Sequence, residues 1–439
     1  MIKRLFQLVI AMILLAVFPQ GIQAEEVTPI SKLLEQASDG DVIQLENHVY
    51  EEDIVIDKPV TLQGAEETVI KGSGTGDVVT LQADGITIEN VRIINSGTVL
   101  DHDDAGIKIL SDANTVKNTT IEKSLHGIYV EEADDNVFLD NTIVGNTDLN
   151  ISRRGNGIHL FHSSGNTIEG NTIDEARDGM YFSFAKHNLI ERNSITNTRY
   201  GIHYMYSDDN EFYQNDFYEN IGGAAIMYSD YIILKENRFY DHHDLQSFGV
   251  LFQTANHVEM ENNDIHFNQK GIFMDQSYRN VIKHNRITNN RIGIDIWSSS
   301  TRNVFTENLL IDNNLQYTTN GGKDGNQWSE AGVGNAWSGH RFIDFNQDGI
   351  SDQPYTYSSA FGKVLAEEEQ LGALFLNSPA LTLYETWNQL FQTAGGSIED
   401  PAPIQASYSS NGRYVTFILP ILTLFLLVAT LKWRRKGAQ

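Results

Sequence analysis

His203, Met205 and Met227 are the residues whose types and spacing carry chemistry most directly. Two thioethers and an imidazole are neutral, polarizable donors, a set that suits the soft monovalent ion Cu(I). On one strand, His203 and Met205 share a face about 6.6 Å apart. Met227 follows Met205 by 22 residues, and in a stacked fold it sits one layer away, about 4.8 Å. His159 and His162 are secondary candidates for the same ion, with His159 two layers from His203. Tyr181, Tyr206 and Tyr228 flank these positions and read as a partner-binding face. The same side chains would equally pack beneath a covering loop or a protein partner. Cysteine is absent, which excludes thiolate sites, disulfides and Cys nucleophiles.

A second constellation lies near the C-terminus. Asp344, Asn346, Asp348, Gly349, the Ile350 carbonyl and Asp352 stand at the first, third, fifth, sixth, seventh and ninth places of a calcium loop. Tyr355 stands where the twelfth-place Glu belongs, so the loop is not a full EF-hand. Ca²⁺ held there would be structural, and a polar turn without metal is the other reading. The carboxylate pairs Asp134-Asp135 and Asp208-Asp209 fall just before an Asn and read as bend chemistry rather than as an acid–base pair. No sugar-cleaving signature is found, and catalytic residues are not assigned.

These residues are positioned by a repeat. Gly157, Gly179, Gly201 and Gly223 are 22 residues apart, as are Gly249, Gly271 and Gly293. Asn171, Asn193, Asn215 and Asn237 follow the first four at a fixed offset, with an apolar residue two places on. A period of this length with strand-like alternation predicts a stacked solenoid. The fold expected is all-β, a right-handed single-stranded parallel β-helix with three short strands per coil and about a dozen coils. A short N-terminal helix over 31–37 is expected to cap it. Within each coil the first and third residues after Gly point inward, and the second and fourth point out. The outward columns then carry aromatic, His and Met residues. Asn columns at the turns are architecture, bonding to each other and to backbone groups that the bends leave unpaired.

Both ends suggest a membrane. Residues 1–24 have the basic, apolar and small-residue parts of a secretory signal. An uncharged apolar run over 414–431 is long enough to span a bilayer, and the basic residues after it, within 432–439, predict a cytoplasmic tail. Between them the expected organisation is a β-helix over 25–315, a C-terminal cap over 316–360, and an amphipathic segment and linker over 361–413. The body is therefore expected outside the cell membrane, tethered by a single C-terminal helix. The net charge of −27, from 58 acidic and 31 basic residues, argues against nucleic acid as a partner.

The stretches GIHYMYSDDN at 201–210, AAIMYSD at 224–230 and GIFMDQSYRN at 271–280 resemble the NosD family. The likeness continues through GVGNAW and DGISDQPY, and through SPALTL at 378–383. The resemblance implies an exported, copper-handling β-helix protein that is not itself an enzyme. Such a protein works with an ABC transporter (ATPase and membrane subunit) and a copper chaperone to assemble the copper–sulfide centre of nitrous oxide reductase. The family's Met-Tyr-Ser motifs fall here on Met205-Tyr206 and Met227-Tyr228. This chain departs from the family pattern at Ala336-Trp337-Ser338-Gly339-His340 and at Asn346-Gln347-Asp348-Gly349, which weakens the calcium reading. The alternative is a cell-surface β-helix that binds or cleaves polysaccharide.

Overall fold

The 22-residue period becomes the strand register. In a computed structural model, which describes residues 27–320, 324–358, 378–380, 383–384, 387 and 398–406, Met205 pairs with Met227 and Tyr204 with Ile226. Three parallel sheets of 12, 13 and 12 strands run the length of the solenoid. Each coil contributes one short strand to each sheet. The first sheet runs from Val42–Gln44 to Val304–Thr306, and the second from Val49–Glu51 to Leu309–Ile311 with Ala336–Trp337 added. The third runs from Ile54–Ile56 to Leu315–Thr318. The expected parallel β-solenoid is therefore present.

Inward residues form one continuous core. Ile202, Tyr204, Phe212 and Phe217, all from one coil, are fully buried. Glycine recurs in the third sheet because coils approach closely there: a Cβ on Gly201 would lie 2.6 Å from the Gly223 carbonyl oxygen. Corners between strands use left-handed residues, which cost an L-residue about 1–2 kcal/mol each. His162, Phe184, Tyr206 and Tyr228 all occupy such a corner, with φ between 49° and 56°.

Asparagine ladders tie the corners together, as expected. From Asn141 through Asn171, Asn193, Asn215, Asn237, Asn263, Asn285 and Asn308, each side-chain amide donates to the Oδ1 of the next, ending on Asn335. Each Oδ1 also accepts the backbone N–H of the preceding Asn, as in Asn193 to Asn215 at 2.9 Å. At the last coil, Asp400 accepts the Asn335 N–H and the Trp337 indole N–H, each at 2.7 Å. Another ladder runs through Asn220, His242, Asn268, Asn290 and Asn313, with His242 Nδ1 taking the place of an Asn oxygen.

The short helix lies at Ile30–Gln36 and buries Ile30 and Leu34. Glu52 accepts its first N–H groups, and Lys58 donates to carbonyls at its other end. Near the C-terminus, Trp328, Trp337 and Tyr355 stack in sequence on Phe305, and Tyr355–Tyr357 pairs antiparallel with Ile398–Asp400. The leader at 1–24 and the apolar run at 414–431 lie outside the described residues, as does most of 361–413. Among the described residues no helix is long and apolar enough to cross a membrane.

Candidate functional site

The outer face of the third sheet is built from strands Asp178–Ser183, Tyr200–Met205 and Gly222–Met227 and the strands that flank them. Alternation puts His159, Tyr181 and His203 in one outward column, since His159 pairs with Tyr181 and Tyr181 with His203. Their rings meet edge to face at 4.6 Å and 4.8 Å, an arrangement favoured by the ring quadrupoles. Tyr181 thus separates the two imidazoles, as the coil spacing predicts. Upstream the column continues to Tyr129, 4.8 Å from His159.

Met205 and Met227 occupy the next outward column and are direct register partners. Both are half-buried. Met227 packs against an apolar patch of Ala225, Phe248 and Leu251 on this outer face, joined by Tyr200 and Phe273.

The three tyrosines assigned to one partner face belong to two features. Tyr181 sits in the His–Tyr column. Tyr206 and Tyr228 stand at the corner, where His162, Phe184, Tyr206 and Tyr228 stack face to face at 4.8, 5.2 and 5.1 Å. His162 belongs to this corner stack and not to the His203 column. Phe184, Tyr206 and Tyr228 are 45%, 45% and 42% exposed, which makes the corner an open aromatic stripe.

Two residues that sequence reasoning passed over complete the surroundings of His203. Asp178 is buried and accepts from Arg199 through Nε at 2.8 Å and through a terminal nitrogen at 2.5 Å. Its Oδ2 lies 3.0 Å from His203 Nδ1. Burial lifts the Asp178 carboxyl, but hydrogen bonds from His203 and Arg199 outweigh it and hold the group below its ordinary range. His159 is pushed down to about 3, first by burial and then by the neighbouring His126, so its ring is neutral at ordinary pH.

His159 also meets Asp103 and His126, and one ligand atom from each of the three lies within 4.8 Å of the others. Among the described residues no other set of three His or carboxylate groups converges in this way. The calcium loop does not. Asp344 accepts the N–H groups of Gln347 and Gly349. Asp352 accepts that of Phe345, and Asp348 that of Ile350 and the Asn346 amide. The oxygens expected to hold Ca²⁺ thus accept hydrogen bonds within an exposed turn.

A family model described as "Periplasmic copper-binding protein (NosD)" matches residues 37–152 and 148–341. The chain belongs to the NosD family. The match spans the whole His–Met face and stops before Asp344. A curated relative from Pseudomonas aeruginosa, named probable ABC transporter binding protein NosD, is 32% identical over 91% of this chain and 96% of its own length. A relative of the same name from Stutzerimonas stutzeri is 31% identical over 81% of this chain and 84% of its own. Among solved structures, PfbA, a surface adhesin of Streptococcus pneumoniae, is similar with a TM-score of 0.52. It is 14% identical, over 63% of this chain and 83% of that one. At that identity the likeness is one of fold alone.

Proposed function

We propose that this chain is an exported, membrane-tethered accessory protein that handles copper for assembly of the copper–sulfide centre of nitrous oxide reductase. It works with an ABC transporter, as the names of its relatives suggest, and receives copper from a chaperone. The reading is carried by one observation: the residues matched to a copper-binding family include an outer face that sets His203, Met205 and Met227 on adjacent strands. Copper is cargo here, and the donors are neutral and soft enough for Cu(I). The relatives are named as binding proteins, which favours a non-enzymatic role. Periplasmic placement in the family description agrees with a body on the extracytoplasmic side, held by the segment at 414–431.

The test is the triple variant His203→Ala, Met205→Ala, Met227→Ala in the full chain. It is expected to lose Cu(I) in competition with a chromophoric chelator, and to stop reductase maturation, while its circular dichroism is unchanged. Retention of both copper and maturation in a folded variant would remove the assignment.

A further inference from the structure

We propose that Asp178 is a positioning residue that fixes His203 in the tautomer protonated on Nδ1 and so presents the Nε2 lone pair to copper. The inference rests on the copper reading and adds to it the group that makes one histidine, among several on this face, a competent ligand.

An imidazole binds metal through an unprotonated nitrogen, and the hydrogen bond made by the other nitrogen decides which one that is. His203 Nδ1 lies 3.0 Å from Asp178 Oδ2 and 3.2 Å from an Arg199 terminal nitrogen. A bare Nδ1 could accept from Arg199 at 3.2 Å but would aim its lone pair at the nearer carboxylate oxygen at 3.0 Å. A protonated Nδ1 donates to that oxygen and makes a charge-assisted bond. Arg199 already donates to both Asp178 oxygens, which keeps the carboxylate ionised as an acceptor and balances its charge. Asp178 is 2% exposed on its side chain and His203 15%, so water competes little for the bond. Among the described residues no group hydrogen-bonds to His203 Nε2. A carboxylate behind the imidazole is the arrangement that orients histidine ligands and raises their basicity.

Three other imidazoles are placed differently. His126 Nδ1 accepts the Asn156 backbone N–H at 3.0 Å, and a backbone donor cannot reverse its role. Nδ1 is therefore the bare nitrogen, and Nε2 carries the proton, facing Asp103 at 3.5 Å. The Asp103–His126–His159 cluster has the spacing of a metal site, but His126 has no lone pair to give it. His242 Nδ1 lies between the Asn220 backbone N–H at 3.1 Å and the Asn220 carbonyl oxygen at 3.0 Å. His159 Nδ1 faces only the Asn156 side-chain amide, at 3.4 Å, which can present either end. His203 alone in this group has its Nδ1 backed by a carboxylate.

The test reads the tautomer without copper. In the full chain labelled with ¹⁵N-histidine, long-range ¹H–¹⁵N correlations at neutral pH are expected to show His203 protonated on Nδ1. Asp178→Asn, whose amide can turn an N–H toward the ring, is expected to shift it toward the Nε2–H form. Its Cu(I) affinity is expected to fall about 10–100-fold. Arg199→Gln keeps the acceptor and is expected to keep Nδ1–H, which serves as the test if Asp178→Asn does not fold. A wild-type His203 protonated on Nε2 would overturn the proposal, and so would a flip in Arg199→Gln. Unchanged affinity in a folded Asp178→Asn would do the same. If the tautomer is as expected but His203→Ala binds Cu(I) like the wild type, the copper reading fails while the Asp178–His203 relation stands.

Discussion

Met205 and Met227 face each other across two paired strands of the third sheet, in register and on its outer side. Their strand spacing is about 4.8 Å, and two thioethers one layer apart can converge on a single ion from neighbouring coils. Both are half-buried, and Met227 borders an outer apolar patch, so a packing role stands beside the proposed ligand role.

Leucine separates those roles. Met205→Leu and Met227→Leu conserve volume and should cost less than about 1.5 kcal/mol of stability. Each should nevertheless lower Cu(I) affinity by about tenfold or more, equivalent to about 1.4 kcal/mol. Chelator competition and urea melts on the same samples check both halves. An affinity that follows stability rather than the lost sulfur would mean packing only.

Asn215→Ala should be among the costliest single truncations. Asn215 Oδ1 accepts the Asn193 N–H at 2.9 Å, and its amide donates to the Ile190 carbonyl at 2.9 Å. Truncation leaves the Asn193 N–H buried without a partner, at roughly 1–3 kcal/mol, and takes one of two donors from the Ile190 carbonyl. A fall in the urea midpoint with an unchanged slope is the expected readout, and Asn215→Asp, which keeps the acceptor alone, should fall in between.

His242→Asn should change the response to acid. Burial pushes His242 down to about 3, whereas the unfolded ring takes a proton near pH 6.5. Between those values the unfolded chain binds a proton that the folded chain refuses. Stability present above about pH 6.5 is therefore lost progressively as pH falls toward about 3, by on the order of 4 kcal/mol in full. Asn can supply the acceptor for the Asn220 N–H, as it does elsewhere in that ladder, and it carries no proton site. Melts from neutral to mildly acidic pH should show a shallower loss in the variant, with His159 still contributing to what remains. Parallel curves for variant and wild type would contradict the assignment.

Most of the fold was legible because the coil period turns sequence spacing into register. Gly201 and Gly223, Asn193 and Asn215, and Met205 and Met227 are each 22 apart and each adjacent in space. What was missed lay off the period. Asp178 precedes its glycine and looks like a turn residue, while its partners Arg199 and His203 come 21 and 25 residues later. Arg199 stands two places before its glycine, and its reach across to the neighbouring coil is a side-chain choice that spacing does not record. His126 stands 30 residues from Asn156, since an insertion lengthens that coil. At the Asp344 loop, spacing shows where carboxylates recur, not that they accept the turn's own N–H groups.

The long asparagine ladder has a sense, because each amide gives its hydrogen toward the following coil. Such a row can be extended indefinitely by duplicating coils in its interior, and every copy would present the same donor and need the same acceptor. A residue that accepts and has no hydrogen to pass on ends it. Asp400 does so, returning from 65 residues beyond Asn335. Asp400 thereby takes the place that the asparagine of a further coil would occupy at this corner. The end of that row is thus set by a carboxylate far outside the repeats that build it.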